Sequence, residues 1–141
     1  MARVCFQSDW SIYGISRVKF NNDKRFDIDL AYGQVFEKKI ADILSNSKIE
    51  VKTEKDKWKQ TGNIVIEYES RGKPSGIVTT QSDYWLHNLA SGDNIVCSLL
   101  IPVDKLRRYI ARNNPRSVRG GDDMTSKLYL IKLTDLVTLI E

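Results

Sequence analysis

Two neighbouring stretches of the chain alternate in steps of two. In residues 63–69, Ile64, Ile66 and Tyr68 fall on one side of an extended backbone and Val65, Glu67 and Glu69 on the other. The β-branched and aromatic content predicts a strand. In residues 49–54 the same alternation sets Ile49, Val51 and Thr53 against Glu50, Lys52 and Glu54, and Asp56 joins the polar side if the strand runs that far. Between them Thr61, Gly62 and Asn63 are turn formers. A chain folding back there brings an upstream acid, Glu54 or Asp56, toward Glu67.

The pattern elsewhere is plainer. Residues 1–22 alternate loosely through Val4, Phe6, Trp10, Ile12, Ile15, Val18 and Phe20, which predicts a strand or an extended arm. From 26 to 44 the period becomes helical, with Phe36, Ile40, Ile43 and Leu44 forming an apolar stripe and Glu37 beside it. Trp58, in a charged loop, is expected to cap the core or to stack on a base or sugar. Residues 77–80 read as a short strand, and Gln81, Ser82 and Asp83 as the cap of a helix through Trp85, Leu86 and Leu89. His87, on that helix, has no nucleophile motif near it and is expected to be structural or on the surface. The nearly continuous apolar run 95–103 predicts a strand buried on both faces, closed by Pro102. Asp104 then caps a basic helix over 105–112 with Leu106, Tyr109 and Ile110 inward. Residues 113–123 read as a Gly- and Arg-rich loop, 127–133 as a last strand, and 136–140 as an apolar turn or helix.

Length changes this picture little: 141 residues make one ordinary domain with a real core. No apolar run approaches the roughly 20 residues of a membrane span, and the N-terminus has no secretory pattern, so an intracellular protein without a membrane partner is expected. Cys5 and Cys97 are isolated and read as ordinary buried thiols. Charge matters more. A net charge of +4 favours acidic partners, nucleic acid first. Ser70 to Gly76, with Arg71, Lys73 and Ser75, is a small-residue loop suited to a phosphate backbone. Arg116 and Arg119 offer the same chemistry in the later loop.

The acids give the candidate chemistry. Three converging carboxylates repel one another unless a cation or proton sits among them. Glu67, Glu69 and an upstream acid therefore suggest a hard metal site, and Mg²⁺ (or Mn²⁺ in its place) prefers such oxygen ligands.

The block 54–85, reading E-K-D-K-W-K-Q-T-G-N-I-V-I-E-Y-E, then G-K-P-S-G-I and S-D-Y-W, resembles phage-encoded or phage-like members of the PD-(D/E)XK nuclease superfamily. The likeness runs from about Phe26 to the end. Where that superfamily usually has Pro-Asp and E-x-K, this chain has Lys55-Asp56 and Glu67-x-Glu69, an E-x-E variant. The resemblance implies an α/β restriction endonuclease-like sandwich, a mixed central sheet flanked by helices. It implies a Mg²⁺-dependent deoxyribonuclease, an endonuclease, acting in the cytoplasm (the host's, for a phage protein). Asp56 and Glu67 would hold the metal with help from the Tyr68 carbonyl, and Glu69 would bind a second metal or act as general base. Glu37 would face the site from the preceding helix, and Lys52 or Lys73 would supply the missing positive charge. A homodimer is compatible with this reading. Two others stand beside it: a DNA-binding protein that keeps the fold without cutting, and an interaction protein whose acids pair with lysines on a solvated sheet.

Overall fold

The computed structural model describes residues 24–136, and the side chains from residue 28 onward. The expected N-terminal strand or arm, Cys5, and the end of the C-terminal segment lie outside the described residues. The chain divides into two compact units, Met1–Ile40 and Ala41–Glu141. In the first unit the described element is most of helix α1, Lys24–Asn46, whose last turns belong to the second. The helix matches the expected one. Its apolar positions stay open, however: Phe36, Ile40 and Leu44 are 43%, 48% and 55% exposed. Glu37, in the first unit, is exposed as well.

The second unit is α/β. Its strands are β1 (Ile49–Lys55), β2 (Asn63–Ser70), β3 (Lys73–Pro74), β4 (Tyr84–Ser91), β5 (Asn94–Pro102), β6 (Ser117–Gly120) and β7 (Ser126–Lys132). Its further helices are α2 (Lys57–Thr61), α3 (Val103–Asn113) and α4 (Leu133–Leu136). The strands form two sheets, a mixed one in the order β1-β4-β5 and an antiparallel one in the order β3-β2-β7-β6. The core gathers Ile64, Ile66 and Ile131 with Trp85, Leu89, Ile101 and Leu106. No helix among the described residues is long and apolar enough to cross a membrane.

Several local expectations fail for tertiary reasons. Residues 84–89 are strand, because β4 is the central strand of its sheet, with β1 parallel on one side and β5 antiparallel on the other. Two ladders of hydrogen bonds outweigh a short helical spacing of apolar residues. The Asp83 carboxylate caps no helix; it accepts the Lys48 backbone N–H at 2.9 Å and so fixes where β1 and β4 begin together. Residues 76–78 form a 3₁₀ turn instead of a strand. The apolar run of β5 is an edge strand with an exposed first half, so Cys97 is exposed and not buried. The N-cap position of α3 falls on Pro102; Asp104 sits in the first turn and pairs with Arg108 at 2.7 Å. Residues 117–120, expected in a loop, form β6 against β7.

Candidate active site between two sheet faces

β1 turns its charged face inward. Glu50, Lys52 and Glu54 are half-buried, whereas Val51 on the opposite face is 55% exposed. The reason is its partner: in the parallel register Glu50, Lys52 and Glu54 lie beside Trp85, His87 and Leu89, three buried residues of β4. A pattern of apolar and polar residues assigns the wrong side here because the inward-facing charges have partners. Lys52 pairs with Glu50 at 2.8 Å and lies 5.8 Å from the centre of the Trp85 ring. Glu50 also accepts from the Thr80 hydroxyl at 3.2 Å. The Lys52 hydrogen bond, and then its charge, hold the Glu50 carboxyl below its ordinary value against the opposing effect of burial.

Glu54 is anchored across the gap between the sheets. Its Oε2 accepts the backbone N–H of Val65 on β2 at 3.0 Å and lies 3.2 Å from Nε2 of His87. β1 and β2 do not form the expected hairpin, since they belong to different sheets and are joined through α2 and the left-handed Gly62. It is this side chain that ties them.

Glu67 comes from β2. Its Oε1 accepts from Ser75 Oγ at 2.6 Å and its Oε2 from Ser126 Oγ at 2.7 Å. The Ser75 hydroxyl is the largest influence holding its carboxyl below the ordinary value; burial opposes this, and Ser126 and the positive charge of Lys52 add to it. Gly76 is required beneath it. Gly76 has φ +52°, and a Cβ there would fall 2.2 Å from the Glu67 carbonyl oxygen.

Lys52, Glu54, Glu67 and His87 line one cavity of about 260 Å³, walled by Trp85, Val65 and Leu128. The remaining candidates lie elsewhere. Asp56 stands at the start of α2 with φ 37°, where its Oδ1 meets Lys59 Nζ at 3.3 Å and the Gly92 N–H at 3.4 Å. It is Glu54, one strand period earlier, that reaches the cavity. Glu69 pairs with Lys127 at 2.9 Å, because a bulge at Tyr68 breaks the alternation that would have placed it beside Glu67. The Tyr68 carbonyl accepts the Ser75 N–H at 3.0 Å. Arg71 and Lys73 are exposed at the β2–β3 turn. Ser75, expected on a phosphate, binds Glu67 instead. Arg119 is opposite Lys127 and so shares the face of Glu69. Arg116 lines a second cavity of about 440 Å³ with Lys132, Asn63, Asn113 and Asp135. Trp58 caps the core, its indole N–H donating to the Ala90 carbonyl at 2.8 Å.

Sequence reasoning missed His87, Ser126 and Glu50 as part of this site. For Glu50 a signal existed: Glu50-Val51-Lys52 is itself an E-x-K string, on β1 and not β2. Ser126 and His87 carry none, since each depends on strand pairing that no local pattern reveals.

Among the described residues no group of three or more His, Cys, Asp or Glu is placed to hold a metal ion. The cavity offers two carboxylates, Glu54 and Glu67, with a lysine beside them. This set does not make an all-protein cage for a cation such as Zn²⁺. It does suit Mg²⁺, which is ordinarily held by one or two carboxylates while water and substrate phosphate fill the remaining positions. Comparison of the chain with protein-family models, with curated proteins and with solved structures gives no match.

Proposed function

We propose that this chain is a Mg²⁺-dependent nuclease of the restriction endonuclease-like type, hydrolysing phosphodiester bonds in DNA. The observation that carries the reading is the convergence of Lys52 and Glu54 from one sheet with Glu67 from another on a single cavity. Glu54 and Glu67 are the residues that would hold the ion. When bound, such a cation polarises the scissile phosphate and makes water a stronger nucleophile.

The chain's own residues supply the rest. Glu67 is held as an anion by two hydroxyl donors and a nearby lysine, so it presents a fixed negative charge near neutral pH. Lys52 replaces the lysine that Glu67-x-Glu69 lacks. It reaches the cavity from β1, where its ammonium group can offset charge developing on a phosphoryl oxygen. The cationic cavity lined by Arg116 and Lys132 offers a place for a neighbouring phosphate.

A second reading, a DNA-binding protein without cleavage, is favoured by one observation: both Glu67 oxygens already accept hydroxyl hydrogen bonds. The deciding experiment incubates wild type and Glu67→Ala with single-stranded, duplex and branched DNA, each with Mg²⁺ and with Mn²⁺. Metal-dependent cleavage by wild type alone is the expected result. Tight binding with no cleavage of any substrate would replace the nuclease by the binding module.

A further inference from the structure

Trp85 and His87 are each 1% exposed, yet both carry polar atoms at the wall of the candidate site. The indole N–H of Trp85 meets Nδ1 of His87 at 3.3 Å. An indole nitrogen only donates, so Nδ1 is the acceptor and the ring proton resides on Nε2. Nε2 then donates to Oε2 of Glu54, 3.2 Å away. That same oxygen accepts the Val65 N–H at 3.0 Å. A one-directional chain of donors therefore runs from Trp85 through His87 to a single oxygen of Glu54. Oε1 is left with no hydrogen-bond partner among the described residues. Val65 lies two residues before Glu67 on β2, so the chain also sets the spacing between the two carboxylates that share the cavity.

We propose that His87 is a positioning residue: it fixes Glu54 through Oε2 so that Oε1 is presented to a divalent cation in the cavity. The role of that cation rests on the nuclease reading; the donor chain does not. Partners of this kind, hydrogen-bonded to a ligating group, typically change metal affinity by about 10- to 100-fold when removed.

The test uses the full-length protein and has two readouts that need no cleavage. Long-range ¹H–¹⁵N NMR of the single histidine should show the Nε2–H tautomer in the metal-free protein. Mn²⁺ binding followed by electron paramagnetic resonance should weaken by about tenfold or more in His87→Leu. It should stay within a few-fold of wild type in His87→Gln, whose side-chain oxygen and N–H can replace Nδ1 and Nε2–H. Should His87→Leu fail to fold, Trp85→Phe removes the indole donor, and the Nδ1 resonance should then move to that of an acceptor without a hydrogen bond while Nε2–H, still held by Glu54, persists. An Nδ1–H tautomer in wild type, wild-type Mn²⁺ affinity in His87→Leu, or no Mn²⁺ binding by wild type would each overturn the proposal. Wild type that binds Mn²⁺ with the expected dependence on His87 yet cuts no DNA would sink the nuclease reading and leave this inference standing.

Discussion

Glu67 and Glu69 are two residues apart on one strand and point to opposite faces of their sheet. Glu67 is opposite Leu128 and Glu69 is opposite Lys127, adjacent residues of β7. Tyr68 is the extra residue between them, and a bulge of this kind places both of its residues on the side of the single residue they oppose. Tyr68 accordingly stacks on Tyr129, ring centres 4.2 Å apart, and Glu69 joins the same face with Lys127. The bulge is stabilised by the Ser75 N–H, which donates to the Tyr68 carbonyl at 3.0 Å.

The two glutamates should therefore behave differently. Glu67→Ala is expected to remove metal-dependent cleavage while leaving DNA binding largely intact. Glu69→Ala should keep cleavage within a few-fold of wild type. Glu69→Lys should restore no lost activity, since it sets a like charge opposite Lys127 and costs on the order of 0.5 kcal/mol of stability. Cleavage rates and denaturant midpoints of the three variants check this. Equal loss of cleavage in the Glu67 and Glu69 alanine variants would argue for a site that spans both faces.

Acid should weaken the fold through Glu67. Its folded carboxyl lies below the ordinary value of 4.5, so it binds protons less readily folded than unfolded. The stability this contributes is present above about pH 4.5 and is lost as pH falls through the folded value. Glu50, lowered chiefly by Lys52, acts in the same direction. Ser75→Ala combined with Ser126→Ala should cost about 2 kcal/mol near neutral pH. That variant should also lose less stability than wild type on acidification. Urea denaturation across pH gives both quantities, and parallel pH profiles for variant and wild type would refute the assignment.

Much of the scaffold was legible in the sequence, and the site only in part. Helix α1, β1, β2, β7 and α3 follow from periodicity as elements, but the buried side is the marked one in β2 and α3 and not in α1, whose apolar stripe is exposed, or in β1, whose charged side turns inward. Ile64 and Ile66 are fully buried, as alternation predicts. What failed depends on neighbours distant in sequence. β4 is a strand because β1 and β5 flank it, and Tyr68 is a bulge because β7 supplies one residue fewer. The choice of Glu54 over Asp56 turns on where β1 ends. β1 stops at Lys55 and Asp56 takes a positive φ of 37° to open α2, which carries its carboxylate to Lys59 and Gly92.

Gly76 gives a sharp mechanical test. Its positive φ disfavours any side chain, and an added Cβ would strike the Glu67 backbone. Gly76→Ala should destabilise the protein by more than about 1 kcal/mol. Because the clash is with Glu67 itself, cleavage should fall further than the fraction of folded protein does. Gly72 also has a positive φ but has open space around its Cβ position, so Gly72→Ala is the control for backbone strain alone. Identical stability and activity in the two variants would show that the contact with Glu67 is unimportant.

On the nuclease reading, the face of the antiparallel sheet that carries Glu67 also sets a path for the proposed DNA substrate. By strand alternation Asn63, Val65 and Glu67 share that face with Lys132, Leu130 and Leu128. Asn63 and Lys132 end the row at the cavity that Arg116 also lines. Four steps along the strand take Glu67 to Asn63, about 13 Å. A strand of DNA with its scissile phosphate at Glu67 would place a neighbouring phosphate near Arg116 and Lys132. Arg119, across from Lys127, lies on the other face and should contribute little. Replacing Arg116 and Lys132 by alanine should therefore weaken binding and make its log–log salt dependence shallower by about 0.9 per lost duplex contact. Arg119→Ala should leave both near wild type. Binding isotherms over a range of salt concentrations, for wild type and each variant, measure the difference. A larger effect from Arg119 than from the Arg116 and Lys132 pair would place the DNA on the Glu69 face and remove Glu67 from its path.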